Sequence, residues 1–568
     1  LLLGLILFTS TFGSKVTAAV SGELKFLDSS DAVTTTYQAG DTLKLQVTDA
    51  DRNSDATAAE TVTVLVTSNT ENTGTAASVG TVTAGSNSGD GTVVVIANGF
   101  DTTSETWTLT AESQTSFIVS GSVAGNQRGI TLDSASSAAT YTSDNGEITL
   151  TVTPGSASFS AGDTFSFTTT AAERVGETVA LTETGMNTGV FTKSMTLNDT
   201  ATPSVGNGAL ELEAGDRITA FYTDPSGDYG AVENKRAQAF YAKTVLAGRT
   251  LIGDTIWGAS GSPYLVTGDV TVDTGVTLVI QAGVKVLFLA NSDDQSSGQR
   301  SSDSELIVKG TLSAIGTAEA PVVLSSSNAV ASAGDWGGIY LDYNADLILT
   351  YAHLSYTGYG IKSNSDGAGG YIDGVEITHS RLVFSGGGID LSGSNDETSA
   401  RIITDNDISV SSSAAALSLD SSCVKAAPIP NLSRNVITNT QGAGVFVQCT
   451  LQGLTIDANT ILVKQNAITV HFFGGAVAIT GNTLESTDTS SQMDKGSGIY
   501  FVFPNATGGV DNAITSVTVQ NNTLKKFGGS GMSAFYFDGN NKTITSSVTG
   551  NTVTDAYYRG MYICLLYT

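Results

Sequence analysis

Proline is scarce in this chain, 8 residues of 568, which excludes a proline-rich disordered linker. Histidine is scarcer: His353, His379 and His471 are the only three, and their scatter speaks against a histidine-rich metal centre or a repeated catalytic triad. Basic residues number 26 against 54 acidic ones, a net charge of −28. A field of that sign repels nucleic acid and anionic lipid, while favouring solubility and cation binding. No run of about 18 apolar residues long enough to span a bilayer occurs, and long stretches with a capped helical period are missing too. No phosphate-cradling glycine loop opens a helix.

Glycine, by contrast, is abundant at 63 residues, with many serines and threonines, and alternating runs such as Thr61-Val-Thr-Val-Leu-Val are common. The composition is that of an exported all-β chain, too long for one ordinary core. From Ile361 onward a short apolar signature returns, often behind glycine–any–glycine. Its first residues are Ile361, Ile389, Leu417, Val445, Ile468, Ile499, Met532 and Met561, with steps of 28, 28, 28, 23, 31, 33 and 29. Ahead of most of them sits asparagine–any–aliphatic, at Asn406, Asn435, Asn459, Asn482, Asn522 and Asn551. A period in this range means stacked units, none able to bury its apolar residues alone. Two strands per turn with tight polar turns describe a coil of a parallel β-helix. The asparagines are expected to form a structural ladder, because a side-chain amide both donates and accepts. About eight such coils, at about 4.8 Å each, make a section about 40 Å long.

The chain before residue 245 is organised differently. Ala-Gly-Asp followed by a strand recurs at Ala39, Ala161 and Ala214, and Glu105-Thr-Trp-Thr-Leu-Thr parallels Glu177-Thr-Val-Ala-Leu-Thr. Short strands at regular spacing predict two β-sandwich modules, at 20–127 and 128–243. The stretches Ala39-Gly-Asp-Thr-Leu-Lys-Leu-Gln-Val-Thr-Asp-Ala-Asp-Arg-Asn and Glu177 to Phe191 resemble immunoglobulin-like repeats of large prokaryotic surface proteins. That resemblance implies spacer or stalk modules without catalytic residues. Residues 1–19 read as a truncated signal peptide, an apolar run ending in Val16-Thr-Ala-Ala. The tail 564–568 resembles a translated transposon end and is set aside as a sequencing scar.

One acidic loop is a metal candidate. Asp49, Asp51, Asn53 and Asp55 alternate, and Glu60 follows at the twelfth position counted from Asp49. Calcium takes six to eight oxygens, which such a loop can supply. Strands flank the loop and Ser54 replaces the turn glycine, so it is not an EF-hand. An acidic turn that bonds its own backbone fits the same residues. Asp224 and Asp228 are a thinner version of it. Cys423 and Cys449 follow successive strand starts and would come within disulfide reach on stacked coils; two buried free thiols are the alternative.

From Gly253 to Leu341 the sequence resembles the right-handed parallel β-helix regions, of the pectate-lyase-like fold, in secreted and cell-surface proteins. The matching stretches are Gly253-Asp-Thr-Ile-Trp-Gly, Gly275-Val-Thr-Leu-Val-Ile-Gln-Ala-Gly-Val-Lys-Val, Leu306-Ile-Val-Lys-Gly-Thr-Leu, Ala320-Pro-Val-Val-Leu and Gly334-Asp-Trp-Gly-Gly-Ile-Tyr-Leu. The resemblance implies this fold and an exported location, but no reaction, since enzymes, adhesins and inert scaffolds share this architecture. Together with the repeat it places a β-helix over 244–563. A polar insert, Asn291 to Ser304, is expected to loop out of the stack.

If the strand starts point inward, Asp390, Ser418, Phe446, Thr469 and Tyr500 point outward, with Asp420, Gln448 and His471 two residues further on. Phe446 and Tyr500 are glycan-stacking candidates. Asp390 and Asp420 on adjacent coils have a spacing that two hydrolytic carboxylates could use. The reading is a secreted or surface protein whose sandwich modules present a β-helical rod. Structural or adhesive work on polysaccharide or cell-surface glycans is the leading function, and a polysaccharide lyase or glycoside hydrolase the alternative.

Overall fold

The computed structural model describes residues 21–566 except 56, 128, 133, 135–137, 144–146, 200–201, 228–231, 329–330, 365–370, 393, 396–400, 421–428, 449–452, 472–474, 489–495, 503–513 and 538–544. The leader 1–19, Asp228 and the cysteines Cys423 and Cys449 lie outside the described residues. The chain is all-β and forms two units, ending and beginning at Tyr241 and Ala242. Among the described residues no helix is long and apolar enough to cross a membrane.

In the first unit the strand pairings do not divide at residue 127. A nine-stranded sheet joins Glu23–Leu27, Thr42–Thr48 and Thr61–Ser68 to Glu177–Glu183, Val190–Asn198, Arg217–Asp224 and Glu233–Ala242. Its core holds Phe26, Leu45, Val64, Leu181, Phe191 and Ile218. Between Ser68 and Glu177 the chain builds a second core around Trp107, Phe117, Leu150 and Phe165. There Thr164–Thr170 pairs with Glu105–Ala111, and Ile148–Thr153 with Thr92–Ala97, so both pairings cross the expected 127/128 boundary. One core is therefore discontinuous in sequence and the other lies within it. The expected division assumed sequential modules, whereas sheets are closed by strands far apart in the chain.

Both repeated motifs of this unit have a local role. Gly40, Gly162 and Gly215 of the three Ala-Gly-Asp turns have φ of +89°, +96° and +111°, a region a Cβ would disfavour. The following aspartates, Asp41, Asp163 and Asp216, accept the backbone N–H of Gln38, Ser160 and Glu213, which closes each turn. Glu105 and Glu177, the first residues of the duplicated strand motif, are buried and bind backbone. Glu105 accepts the N–H groups of Val123 and Ala124; Glu177 accepts those of Asn207 and Gly208.

The second unit is a stack of coils whose strands all pair in parallel with the coil above and below. Each coil contributes three strands rather than the expected two: for example Gly453–Asp457, Thr460–Val463 and Ile468–His471. Thr460–Val463 belongs to the first stack, Ile468–His471 to the second and Gly453–Asp457 to the third, and the third stack forms an eleven-stranded sheet of its own. Every second residue points inward, giving a continuous core from Leu246 to Met532. Each buried Leu, Ile or Val contributes about 1.5–3 kcal/mol.

The corner between the third and first stacks is built the same way in coil after coil. His379, Asp405, Arg434, Ala458 and Asn521 adopt φ between +52° and +61°, with Gly481 and Gly550 at +65° and +69°. All of these but Gly550 donate the backbone N–H to the next coil, as Asp405 does to Ser433 O at 3.0 Å and Ala458 to Thr480 O at 2.9 Å. The next residue is the ladder position. Asn406, Asn435, Asn459, Asn482 and Asn522 are buried, and each Nδ2 donates both to the following asparagine Oδ1 and to a carbonyl of the preceding coil. Ser380 starts the row, donating its N–H to Asn406 Oδ1 at 2.8 Å. The insert Asn291 to Ser304 folds back on earlier coils instead of projecting. Asp294 accepts the N–H of Gly248 and the Thr267 hydroxyl, and Ser297 donates to Asp269 at 2.6 Å.

Candidate functional site

The outward face of the second stack carries the aromatic candidates. Ile389, Leu417, Val445, Ile468 and Ile499 are at most 1% exposed, so their strands turn the alternate residues outward. Register then aligns one column without a break: Asp390, Ser418, Phe446, Thr469, Tyr500, Ser533 and Tyr562 occupy successive coils. Phe446 and Tyr500 are half-buried, while Thr469 between them is 6% exposed. His471, two residues beyond Thr469, fits between the two rings. Its imidazole meets Phe446 at 5.0 Å and Tyr500 at 6.3 Å, edge-on to both. Burial holds the His471 imidazole below its ordinary pKa, so it is neutral over more of the physiological range. The result is a continuous aromatic strip over three coils.

The two candidate catalytic aspartates occupy neighbouring coils, two positions out of step. Asp390 lies opposite Ser418, and Asp420 opposite Ser392. Asp390 also stands next to Lys362 of the preceding coil in the same column. The backbone thus brings Asp390, Asp420 and the aromatic strip to one face.

The acidic loop of the first unit is bound largely to itself. Asp49, 1% exposed, caps the short turn Ala50–Arg52: its carboxylate accepts the Asp51 N–H at 3.0 Å and the Tyr222 hydroxyl at 2.6 Å. Burial, with the nearby charge of Asp224, raises the Asp49 pKa. Glu60 Oε1 accepts the N–H groups of Ser54 and Asp55, each at 2.7 Å, and Asp55 accepts the N–H and hydroxyl of Thr57. Asn53 Nδ2 donates to Asn187 at 2.7 Å. Asn53 Oδ1 and Glu60 Oε2 are buried oxygens with no hydrogen-bond partner. Among the described residues no group of three or more His, Cys, Asp or Glu side chains is arranged to hold a metal ion. Asp224, at the thinner version, accepts the Gly22 N–H at 2.7 Å.

Sequence reasoning missed the most perturbed carboxylates. Glu71, Glu177 and Glu211 are buried together in the first unit. Burial first, and then the charge of Glu177, pushes Glu71 up to about 8. Glu305, buried beside Tyr359 and Asp269 under the insert, is pushed up to about 7 by burial. The duplicated strand motif starting at Glu177 was the available signal for the first group. Glu305 carries no motif.

Residues 251–393 match the family described as pectate-lyase like beta helix domain, and residues 326–503 match the one described as right handed beta helix region. The chain carries pectate-lyase-like right-handed β-helix domains. The aromatic strip, Asp390 and Asp420 all lie inside residues 326–503, the β-helix region. A β-helix domain of this kind is compatible with surface or carbohydrate-related proteins and specifies no single activity. No curated protein matches the sequence closely enough to count as a relative.

Proposed function

We propose that this is an extracellular or cell-surface protein whose β-helix binds glycans through the outward face of its second strand stack, with the first unit as an immunoglobulin-like spacer. One observation carries the reading: Phe446, His471 and Tyr500 line three successive coils on one flat face. An aromatic ring presents a flat apolar face of negative π density, on which the C–H face of a sugar ring stacks. The net charge of −28 argues against nucleic acid as the partner. Retention of the full chain on neutral and acidic polysaccharides tests the reading, with Phe446→Ala and Tyr500→Ala expected to weaken it. If neither substitution changes retention, this face is not the binding surface.

A second reading is a polysaccharide lyase or glycoside hydrolase on the same face. It is favoured by Asp390 and Asp420 on neighbouring coils beside the strip. The same screen, read for new reducing or unsaturated ends, separates the two. Product that disappears in Asp390→Asn makes the protein an enzyme; retention without product keeps it a binder.

A further inference from the structure

The outward column alternates. Counting coils from Asp390, every second position carries Asp390, Phe446, Tyr500 and Tyr562, and the positions between carry Ser418, Thr469 and Ser533. Thr469 and Ser533 are recessed, each 6% exposed, and Ser418 is half-buried; at the Thr469 rung the edge of the His471 imidazole lies between the two rings. Parallel strands lie about 4.8 Å apart, which places equivalent rings about 9.6 Å apart along the stacking direction.

We propose that this column binds a linear, neutral, β-1,4-linked glycan lying along the stacking direction, with every second sugar on a ring and the sugar between over a hydroxyl step. The inference rests on the glycan-binding reading above and assigns its ligand class and orientation. In an extended β-1,4 glycan each sugar is turned by half a turn from the last, so the same ring face returns once per disaccharide. That disaccharide repeat is close to the two-coil step. Chains linked α-1,4 or β-1,3 curve and lose register with a straight column after one or two contacts. Asp390 occupies the ring position two coils before Phe446, next to Lys362 of the preceding coil, and its carboxylate accepts hydrogen bonds from sugar hydroxyls. The net charge of −28 disfavours a chain of uronic acids. At the far end the Arg559 guanidinium stacks 4.3 Å from the Tyr562 ring.

The test is calorimetric titration of the full chain with cellohexaose and chitohexaose, both β-1,4, against laminarihexaose (β-1,3), maltohexaose (α-1,4) and a hexagalacturonate. A β-1,4 hexaose should bind at least tenfold more tightly than the other three. Phe446→Ala and Tyr500→Ala should each lower that affinity at least tenfold, and Phe446→Tyr should restore it. Thr469→Phe, which fills the step, should also lower it. A cellobiose, too short to reach two rings, should be insensitive to loss of the second ring. Heat-melting curves matching the parent chain establish that the variants are folded. If laminarihexaose, maltohexaose or hexagalacturonate binds as tightly with the same dependence on Phe446 and Tyr500, the register argument is overturned and glycan binding stands. Affinity unchanged in both alanine variants overturns the column as the site. Binding of no hexaose, with no retention on any polysaccharide, overturns both readings.

Discussion

Asn459 Nδ2 donates to Asn482 Oδ1 at 3.0 Å, while Asn459 Oδ1 accepts both the backbone N–H and the Nδ2 of Asn435, at 2.9 and 3.0 Å. Every polar atom of this buried side chain is engaged, so no desolvation penalty remains. Asn459→Leu would strand two buried donors on Asn435, while Asn482 Oδ1 keeps the Asn459 backbone N–H, a loss of about 3 kcal/mol at the usual penalty per unsatisfied group. Hydrogen exchange in the strand Thr460–Val463 of the full chain should accelerate accordingly. Unchanged protection there would mean that the ladder does not stabilise the stack.

Ala458 sits at a corner with φ +55°, a conformation that costs a side-chain-bearing residue about 1–2 kcal/mol. Gly481 occupies the same corner one coil later. Ala458→Gly should therefore stabilise the β-helix by about 0.5–1 kcal/mol, the relief being partly offset by greater freedom of the unfolded chain. Ala458→Val should destabilise it, because a β-branched side chain is strained further there. Urea midpoints of the two variants should move in opposite directions.

Glu71 binds a proton more tightly folded than unfolded, since its pKa rises from the ordinary carboxylate range to about 8. Between the two values the folded state holds a proton that the unfolded chain has released, so stability falls as pH rises from about 4.5 to about 8. Exchange protection in the strand Glu177–Glu183 should therefore weaken over that window. Glu71→Gln, neutral at every pH, should flatten the dependence and stabilise the unit near pH 8. A flat profile in the parent chain would mean that Glu71 is ionised at neutral pH.

Calcium at Asp49, Asp51, Asn53, Asp55 and Glu60 is a proposal with its own measurement. The core around these residues includes strands up to Tyr241, so the full chain is the object to test rather than residues 20–127. If the buried oxygens Asn53 Oδ1 and Glu60 Oε2 help hold an ion, calcium should slow exchange at residues 50–55, and Asp51→Ala should remove the effect. Identical exchange with calcium and with chelator would leave an acidic turn and nothing more.

The legible parts of the fold were those written in short, repeated patterns. Asn435-Val-Ile and Asn459-Thr-Ile announce a ladder position and the inward aliphatic beside it, and both functions are local to three residues. The third strand of each coil was missed because Val375–Thr378 or Gly453–Asp457 has only alternation to mark it, with no asparagine at its start. The corner residues were illegible for a related reason. His379, Asp405, Arg434 and Ala458 share a backbone conformation, imposed by stacking, but no side-chain chemistry. Of the site, the outward direction of Phe446 and Tyr500 followed from alternation, whereas His471 between their rings did not. That contact joins residues from three coils, and the loop lengths between them vary.

What the sequence determined by itself was periodic: strands, tight turns, stacked coils, and which residues of each strand turn outward. These follow from covalent alternation and from the bonding habits of asparagine and glycine, which act over a few residues. The tertiary structure decided which strands close each sheet in the first unit, where Thr61–Ser68 finds Glu177–Glu183 across an intervening core. It also decided that the His471 imidazole stands between the rings of Phe446 and Tyr500. Both depend on which distant segments exclude water together, and hydrophobic burial is non-directional, so no local pattern records its partners.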